Sequence, residues 1–240
     1  KGHGKEKIMA KVIAVYNRKG GVGKTTSLLN LGAEFALLGK RILLVDGDSQ
    51  MNLTQYFFSD ELDIEIGIDP NECILSQGRT KPGVDNLYTI LEDKMPVFSA
   101  IRTIERSTKR KFGNKFKTVN CKFDVLLGSR EMDCYEINDI ESVKKLLSQA
   151  EDEYDYIFID CPPVEIVADA SIINKYSDLT LFIIRAGLLD RNLLADVEKF
   201  HTERKYGNMS LILNGTDGGG NRYGYKYGYH YGYAGYTKEE

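Results

Sequence analysis

Two hydrophobic periods alternate along most of this chain. Short apolar runs at residues 12–16, 42–48, 123–127, 156–160, 179–185 and 209–214 read as strands buried on both faces, the second closing on Asp46 and Asp48. Between them, apolar positions recur at helical spacing over 27–38, 139–149, 169–175 and 191–205. In the second of these, Ile140, Val143, Leu146 and Leu147 share one face. Gly39 follows the first as a left-handed cap. Strand alternating with helix predicts an α/β fold, doubly wound, with a mostly parallel sheet between two helical layers.

Residues 55–122 break the pattern. The stretch 60–69 is acidic, Lys81-Pro82-Gly83 marks a turn, and Asp85 is placed to cap a short helix over the residues that follow. A basic run then carries Arg102, Arg106, Lys109, Arg110, Lys111, Lys115, Lys117 and Lys122, with Phe112 and Phe116 among them. It suits either a nucleic-acid backbone or a solvated, partly mobile excursion between core elements, and solvated excursions are the commoner case.

Composition changes this picture little. At 240 residues the chain can bury the core of one domain, and its net charge of −3 gives no global pull toward nucleic acid or anionic membrane. Cys73, Cys121, Cys134 and Cys161 lack paired or metal-binding spacing, which points to reduced thiols in the cytoplasm. No apolar run approaches the ~20 residues of a membrane-spanning helix. Residues 1–8 read as a flexible leader or expression remnant, 9–216 as the folded domain and 217–240 as a flexible tail.

The chemistry concentrates where strand gives way to helix, at Asn17-Arg18-Lys19-Gly20-Gly21-Val22-Gly23-Lys24-Thr25-Thr26. A strand, a glycine-rich turn, Lys-Thr and a helix are the context of a phosphate-binding loop. Gly20, Gly21, Val22 and Gly23 let backbone N–H groups close around phosphate, and Thr26 continues into the helix. Lys24 is placed to reach the β- and γ-phosphates and Thr25 to ligate Mg²⁺, with the helix dipole adding to both. The expected ligands are therefore a nucleoside triphosphate and Mg²⁺.

Lys19 completes the string KGGVGKTT, which resembles the deviant Walker A motif of the ParA/MinD family of P-loop ATPases. That resemblance implies an ATP-bound homodimer in which Lys19 reaches the partner's phosphates. VDGDSQMNLT at 45–54 resembles the family's second motif, with Ser49 where proline is usual. It implies that Asp46 organises Mg²⁺ and that Asp48 positions the attacking group. YDYIFIDCPP at 154–163 resembles a Walker B strand, with Asp160 holding Mg²⁺ through water and two prolines stiffening the next loop. In the family an asparagine at the position of Asn214 reads the adenine edge; Asn214-Gly215 also suits a plain turn. The family further implies non-specific DNA or a protein adaptor as partner, and recruitment to the nucleoid or the inner membrane face.

The C-terminal part carries a second resemblance. PPVEIVADASIIN, LFIIRAG, LILNGT and the tail with Tyr223, Tyr225, Tyr227, Tyr229, Tyr231, Tyr233 and Tyr236 are similar to bacterial P-loop tyrosine kinases of polysaccharide export. Their ExxRxxR segment before the P-loop is absent here. This resemblance implies the tail tyrosines as phosphoacceptors and a membrane-bound activator of an export system as partner. The two resemblances share the same Walker groups and differ in where the phosphoryl group goes: to water or to tyrosine.

Overall fold

The order of the strands explains how motifs far apart in the chain meet. The computed structural model describes residues 9–58, 62–65, 77–80, 84–92, 94–112, 115–133, 140–163, 170–189, 191–203, 206 and 208–216. Nine strands are found among them: β1 (Lys11–Tyr16), β2 (Ile42–Asp46), β3 (Leu62–Glu65), β4 (Gln77–Thr80), β5 (Ile101–Phe112), β6 (Lys115–Leu126), β7 (Tyr156–Asp160), β8 (Leu179–Arg185) and β9 (Met209–Asn214). Seven form one sheet in the order β5-β6-β2-β7-β1-β8-β9, and β3 pairs with β4 separately. Every neighbouring pair in the main sheet is parallel except β5 and β6.

The helices are α1 (Lys24–Leu37), α2 (Asn52–Phe58), α3 (Leu87–Glu92), α4 (Ile140–Ala150), α5 (Ala170–Lys175) and α6 (Leu194–Thr202). Because side chains alternate across a strand, the central strands feed two separate cores. Val12, Ala14, Leu43, Val45, Ile157 and Ile159 pack with α3, α4 and α6. Ile13, Val15, Ile42, Leu44 and Phe158 pack with α1 and α2 on the opposite face. Both faces are covered, which is why these strands read as continuous apolar runs. The expected three-layer, doubly wound architecture is the observed one.

Several local expectations need correction. The short helix over Leu87–Glu92 is capped by Asn86 rather than Asp85: its Oδ1 accepts the Thr89 N–H at 3.1 Å, while Thr89 Oγ1 accepts the Asn86 N–H at 3.0 Å. The second strand stops at Asp46, so Asp48 lies in the turn that follows. The helix expected over 191–205 opens as a 3₁₀ turn, Arg191–Leu193, and ends at Thr202. Gly39 does close α1, with Gly39 N–H on Ala36 O and Lys40 N–H on Phe35 O, the paired bonds of a Schellman motif.

The basic run is not an irregular excursion. It forms the antiparallel hairpin β5–β6, paired without interruption from Ile101↔Leu126 to Phe112↔Lys115. Ile104, Cys121, Phe123 and Val125 turn one face of its base into the core beneath α1. The leader, Cys73, Cys134, the turn at 81–83 and all seven tail tyrosines lie outside the described residues. Among the described residues, no helix is long and apolar enough to cross a membrane.

Candidate nucleotide site

The register brings three strand ends to one point. Asp160 of β7 lies beside Val15 of β1 and beside Asp46 of β2. The phosphate-loop sequence leaves β1 at this carboxyl edge, where open α/β sheets place their ligands. Gly21 and Gly23 have φ of 76° and 90°, left-handed values that glycine adopts without penalty. A Cβ on Gly23 would stand 2.5 Å from Asn214 Nδ2, so the position is closed to larger residues by space as well as by φ.

Side chains from β8, β9 and the loop's own start hold its carbonyls. Asn17 Nδ2 donates to Lys19 O at 2.6 Å, Arg185 Nη1 to Gly21 O at 2.9 Å, and Asn214 Nδ2 to Val22 O at 2.8 Å. The Arg18 guanidinium pairs with Asp196 of α6. These ties fix the loop from outside. Asn214 Oδ1 also accepts the Gly215 N–H, so its amide braces the loop while keeping one N–H and one lone pair for another ligand.

Inside the loop lies a buried charge cluster. The Lys24 ammonium meets Asp48 Oδ2 at 2.9 Å and also bonds Asp160 Oδ1. Thr25 Oγ1 donates to the other Asp160 oxygen at 2.6 Å. Lys24, Asp48 and Asp160 are all buried. Burial opposes the lysine charge, yet the Asp160 and Asp48 carboxylates outweigh it and hold the Lys24 pKa above the usual lysine value. Burial raises the Asp160 carboxyl above its ordinary range, partly offset by Lys24 and Thr25.

Asp46 is held differently. Its Oδ2 accepts both the Thr54 N–H, at 2.7 Å, and the Thr54 hydroxyl, at 2.6 Å. The same hydroxyl accepts the Gly128 N–H at 2.8 Å. Asp46 is fully buried, and its Oδ1 has no hydrogen-bond partner. Burial, and then the neighbouring Asp160, push its pKa up to about 7. An unpartnered carboxylate oxygen costs free energy unless a proton or a cation satisfies it.

The remaining expected residues lie on the rim. Lys19, Gly20, Gly21 and Thr26 are exposed, whereas Val22 is buried beneath the loop. Nothing lies within 4 Å of a Cβ built on Gly20 or Gly21, so the loop's outer face is open. A cavity of about 290 Å³ adjoins it, lined by Val45, Leu87, Leu146 and Ile159, with Asp48 and Pro162 at the loop end. The structure thus gathers Lys24, Thr25, Asp46, Asp48 and Asp160 with the loop backbone. Asn214 braces the loop from outside.

This set fits a hydrated divalent cation held jointly with phosphate. Among the described residues, no group of three His, Cys, Asp or Glu side chains could cage a metal alone. Mg²⁺ asks for few protein ligands and keeps several waters, and one hydroxyl beside carboxylates with an unsatisfied oxygen meets that need.

A family profile described as an AAA domain matches residues 10–187. The chain belongs to this family. It is of the ParA/MinD P-loop ATPase type and has tyrosine-kinase relatives. It is 34% identical over 163 residues to the sporulation initiation inhibitor protein Soj of Bacillus subtilis, covering 65% of this chain and 51% of Soj. The chain spans about half the length of the partition relatives it matches. It is 27% identical over 221 residues to the tyrosine-protein kinase CpsD of Streptococcus pneumoniae, covering 89% of this chain and 80% of that protein. A solved plasmid partition protein from Borrelia burgdorferi shares the fold, with a TM-score of 0.57 at 23% identity over 85% of this chain and 78% of its own.

Sequence reasoning missed three contributors. Thr54 stood at the end of the second motif, but its bonds to Asp46 and Gly128 depend on where β6 ends. Arg185 was an ordinary strand-end residue until the topology set it against the loop, whereas Asn17 bonds a carbonyl two residues along its own segment. Only Asn17, next to the motif, carried a sequence signal.

Proposed function

We propose that this domain binds ATP·Mg²⁺ and hydrolyses it slowly as a nucleotide-gated homodimer with a partition or positioning role. The observation that carries the reading is the buried Lys24 between Asp48 and Asp160, beneath a glycine loop whose rim exposes Lys19. In this reading Lys24 exchanges its carboxylate partners for the β- and γ-phosphates. Thr25, Asp46 and Asp160 hold Mg²⁺, which supplies neutralising charge at the phosphates when bound. Asp48, released from Lys24, orients the attacking water. Lys19 lies on the open face, where a second copy can be reached, and acts across the dimer. Asn214 keeps one donor and one acceptor with which to read adenine.

One observation favours a second reading. The similarity to the kinase CpsD runs over 89% of this chain, well past the stretch shared with Soj. The same Lys24, Asp48 and Asp160 would then direct the phosphoryl group to a tyrosine such as Tyr223, Tyr225, Tyr227, Tyr229, Tyr231, Tyr233 or Tyr236.

Lys19→Ala separates the two. A single cation facing developing charge in a dry site contributes about 3 kcal/mol, roughly a hundredfold in rate. Under the ATPase reading, the variant keeps monomeric ATP binding, loses ATP-dependent dimers and releases phosphate about a hundredfold more slowly. Phosphate release, dimer fraction and tyrosine phosphorylation are measured side by side. Release and dimerisation untouched, with tyrosine labelling persisting, would replace the ATPase reading with the kinase one.

A further inference from the structure

The glycines that let the phosphate loop close tightly also leave its peptide units free to turn over. Gly21 has φ of 76° and Gly23 of 90°, and a peptide that flips beside glycine meets no Cβ. A trans peptide is planar, so its C=O and N–H point opposite ways. A carbonyl held outward therefore fixes the next residue's N–H inward. α1 settles this for its own start: the Ser27 N–H bonds Gly23 O at 2.9 Å, and the N–H groups of Lys24, Thr25 and Thr26 lie ahead of it along the helix axis. Upstream of the helix, side-chain ties do the same work. Asn17 holds Lys19 O and so sets the Gly20 N–H; Arg185 holds Gly21 O and sets the Val22 N–H; Asn214 holds Val22 O and sets the Gly23 N–H.

Two of these ties form one unit. Arg185 and Asn214 are directly paired residues at the ends of β8 and β9, and paired residues share a face. The Ala186 N–H on Asn214 O, at 2.8 Å, joins the two strand ends. From this common base the two side chains grip successive carbonyls of the loop. The chain also leaves room for the guanidinium. A Cβ on Gly215 would stand 3.3 Å from Arg185 Cγ and 3.5 Å from its Nε, and Gly215 has a left-handed φ of 67°. Arg185 is exposed, so water could satisfy its donors without the ordering cost of holding a long side chain on Gly21 O.

We propose that Arg185 is a positioning residue for polyphosphate binding. With Asn214 it forms a clamp that keeps the Val22 and Gly23 N–H groups aimed into the loop before the ligand arrives. Arg185 acts through the loop backbone and touches neither the phosphates nor the base. Without it the Gly21–Val22 peptide samples both orientations, and affinity falls with the fraction of loops left in the competent one. The clamp rests on the nucleotide-site reading above and serves either destination of the phosphoryl group.

The test measures binding of ATP and of inorganic tripolyphosphate, each with Mg²⁺, to the full chain by calorimetry. Backbone amide signals of the unliganded protein are followed by NMR. Arg185→Met keeps the apolar stem and removes the donors. It should weaken both ligands by the same factor, about tenfold or more, the scale of one hydrogen bond from a charged group. It should also move the Val22 amide signal with no ligand present. Arg185→Lys, which keeps a donor at nearly the same reach, should restore most of both. Unchanged melting temperatures establish that the variants fold; should Arg185→Met unfold, Arg185→Gln, whose amide ends short of Gly21 O, should show the same losses. Weakening of ATP alone would put Arg185 on the base and overturn the proposal. Equal weakening with an unmoved Val22 amide would put it on the phosphates and overturn it as well. Undiminished affinity in Arg185→Met overturns the clamp and leaves the nucleotide site standing, whereas a parent that binds neither ligand overturns both.

Discussion

Thr54 gives the sharpest test of how the site is held together. Its hydroxyl donates to Asp46 Oδ2 at 2.6 Å and accepts the Gly128 N–H at 2.8 Å, and the residue is fully buried. Thr54→Val keeps the shape and removes both bonds. Losing a hydrogen bond to a carboxylate costs about 1.5–3 kcal/mol, and stranding a buried N–H costs about 1–3 kcal/mol. The two share one atom and do not simply add, so a loss of about 3–5 kcal/mol is expected. Thr54→Ser keeps the hydroxyl and loses one buried methyl, at about 1 kcal/mol. Urea unfolding at constant m-value reads the difference directly. The reasoning fails should valine cost no more than serine, because packing rather than the hydroxyl would then hold Asp46.

Four other substitutions probe the loop and the charge cluster. Lys24→Ala should abolish retention of labelled ATP, since the polyphosphate loses its main counter-charge while Asp48 and Asp160 stay buried; unchanged affinity would sink the phosphate assignment. Asp48→Ala should leave ATP bound, stall hydrolysis and accumulate dimer in sedimentation with ATP, because a water-orienting carboxylate acts on the transition state more than on the ground state; turnover at the parental rate would remove it from that role. Gly23→Ala should lower stability by about 1–2 kcal/mol through its left-handed φ alone, with further loss from the Asn214 contact. Adding Asn214→Ala should return the contact part and not the φ part, and thermal melts of the two single variants and the double variant would show additive losses if the two residues do not touch.

The sequence by itself determined the elements whose signal is local. Apolar runs buried on both faces marked the central strands, and β8 and β9 fall on the expected residues. That Lys24, Thr25, Asp46, Asp48 and Asp160 would converge was legible because short motifs set those groups at strand ends and a helix start, which the sheet brings to one edge. The hairpin was not read from the sequence, although the dipeptide Gly113-Asn114 that separates its strands is a hairpin signal. Its strands were hidden because charge replaces the apolar half of the alternation once the ribbon leaves the core.

What tertiary structure decided is everything that rests on adjacency between distant segments. Only the strand order sets Arg185 against Gly21 O, Asn214 against Val22 O, and the Thr54 hydroxyl between Asp46 and Gly128. Each is a polar side chain satisfying a group more than seventy residues away, or, for Asp46, a neighbour across a turn whose position β6 fixes. Hydrogen-bond satisfaction of that kind leaves no periodic trace in a sequence. It is set by which strands the chain lays side by side.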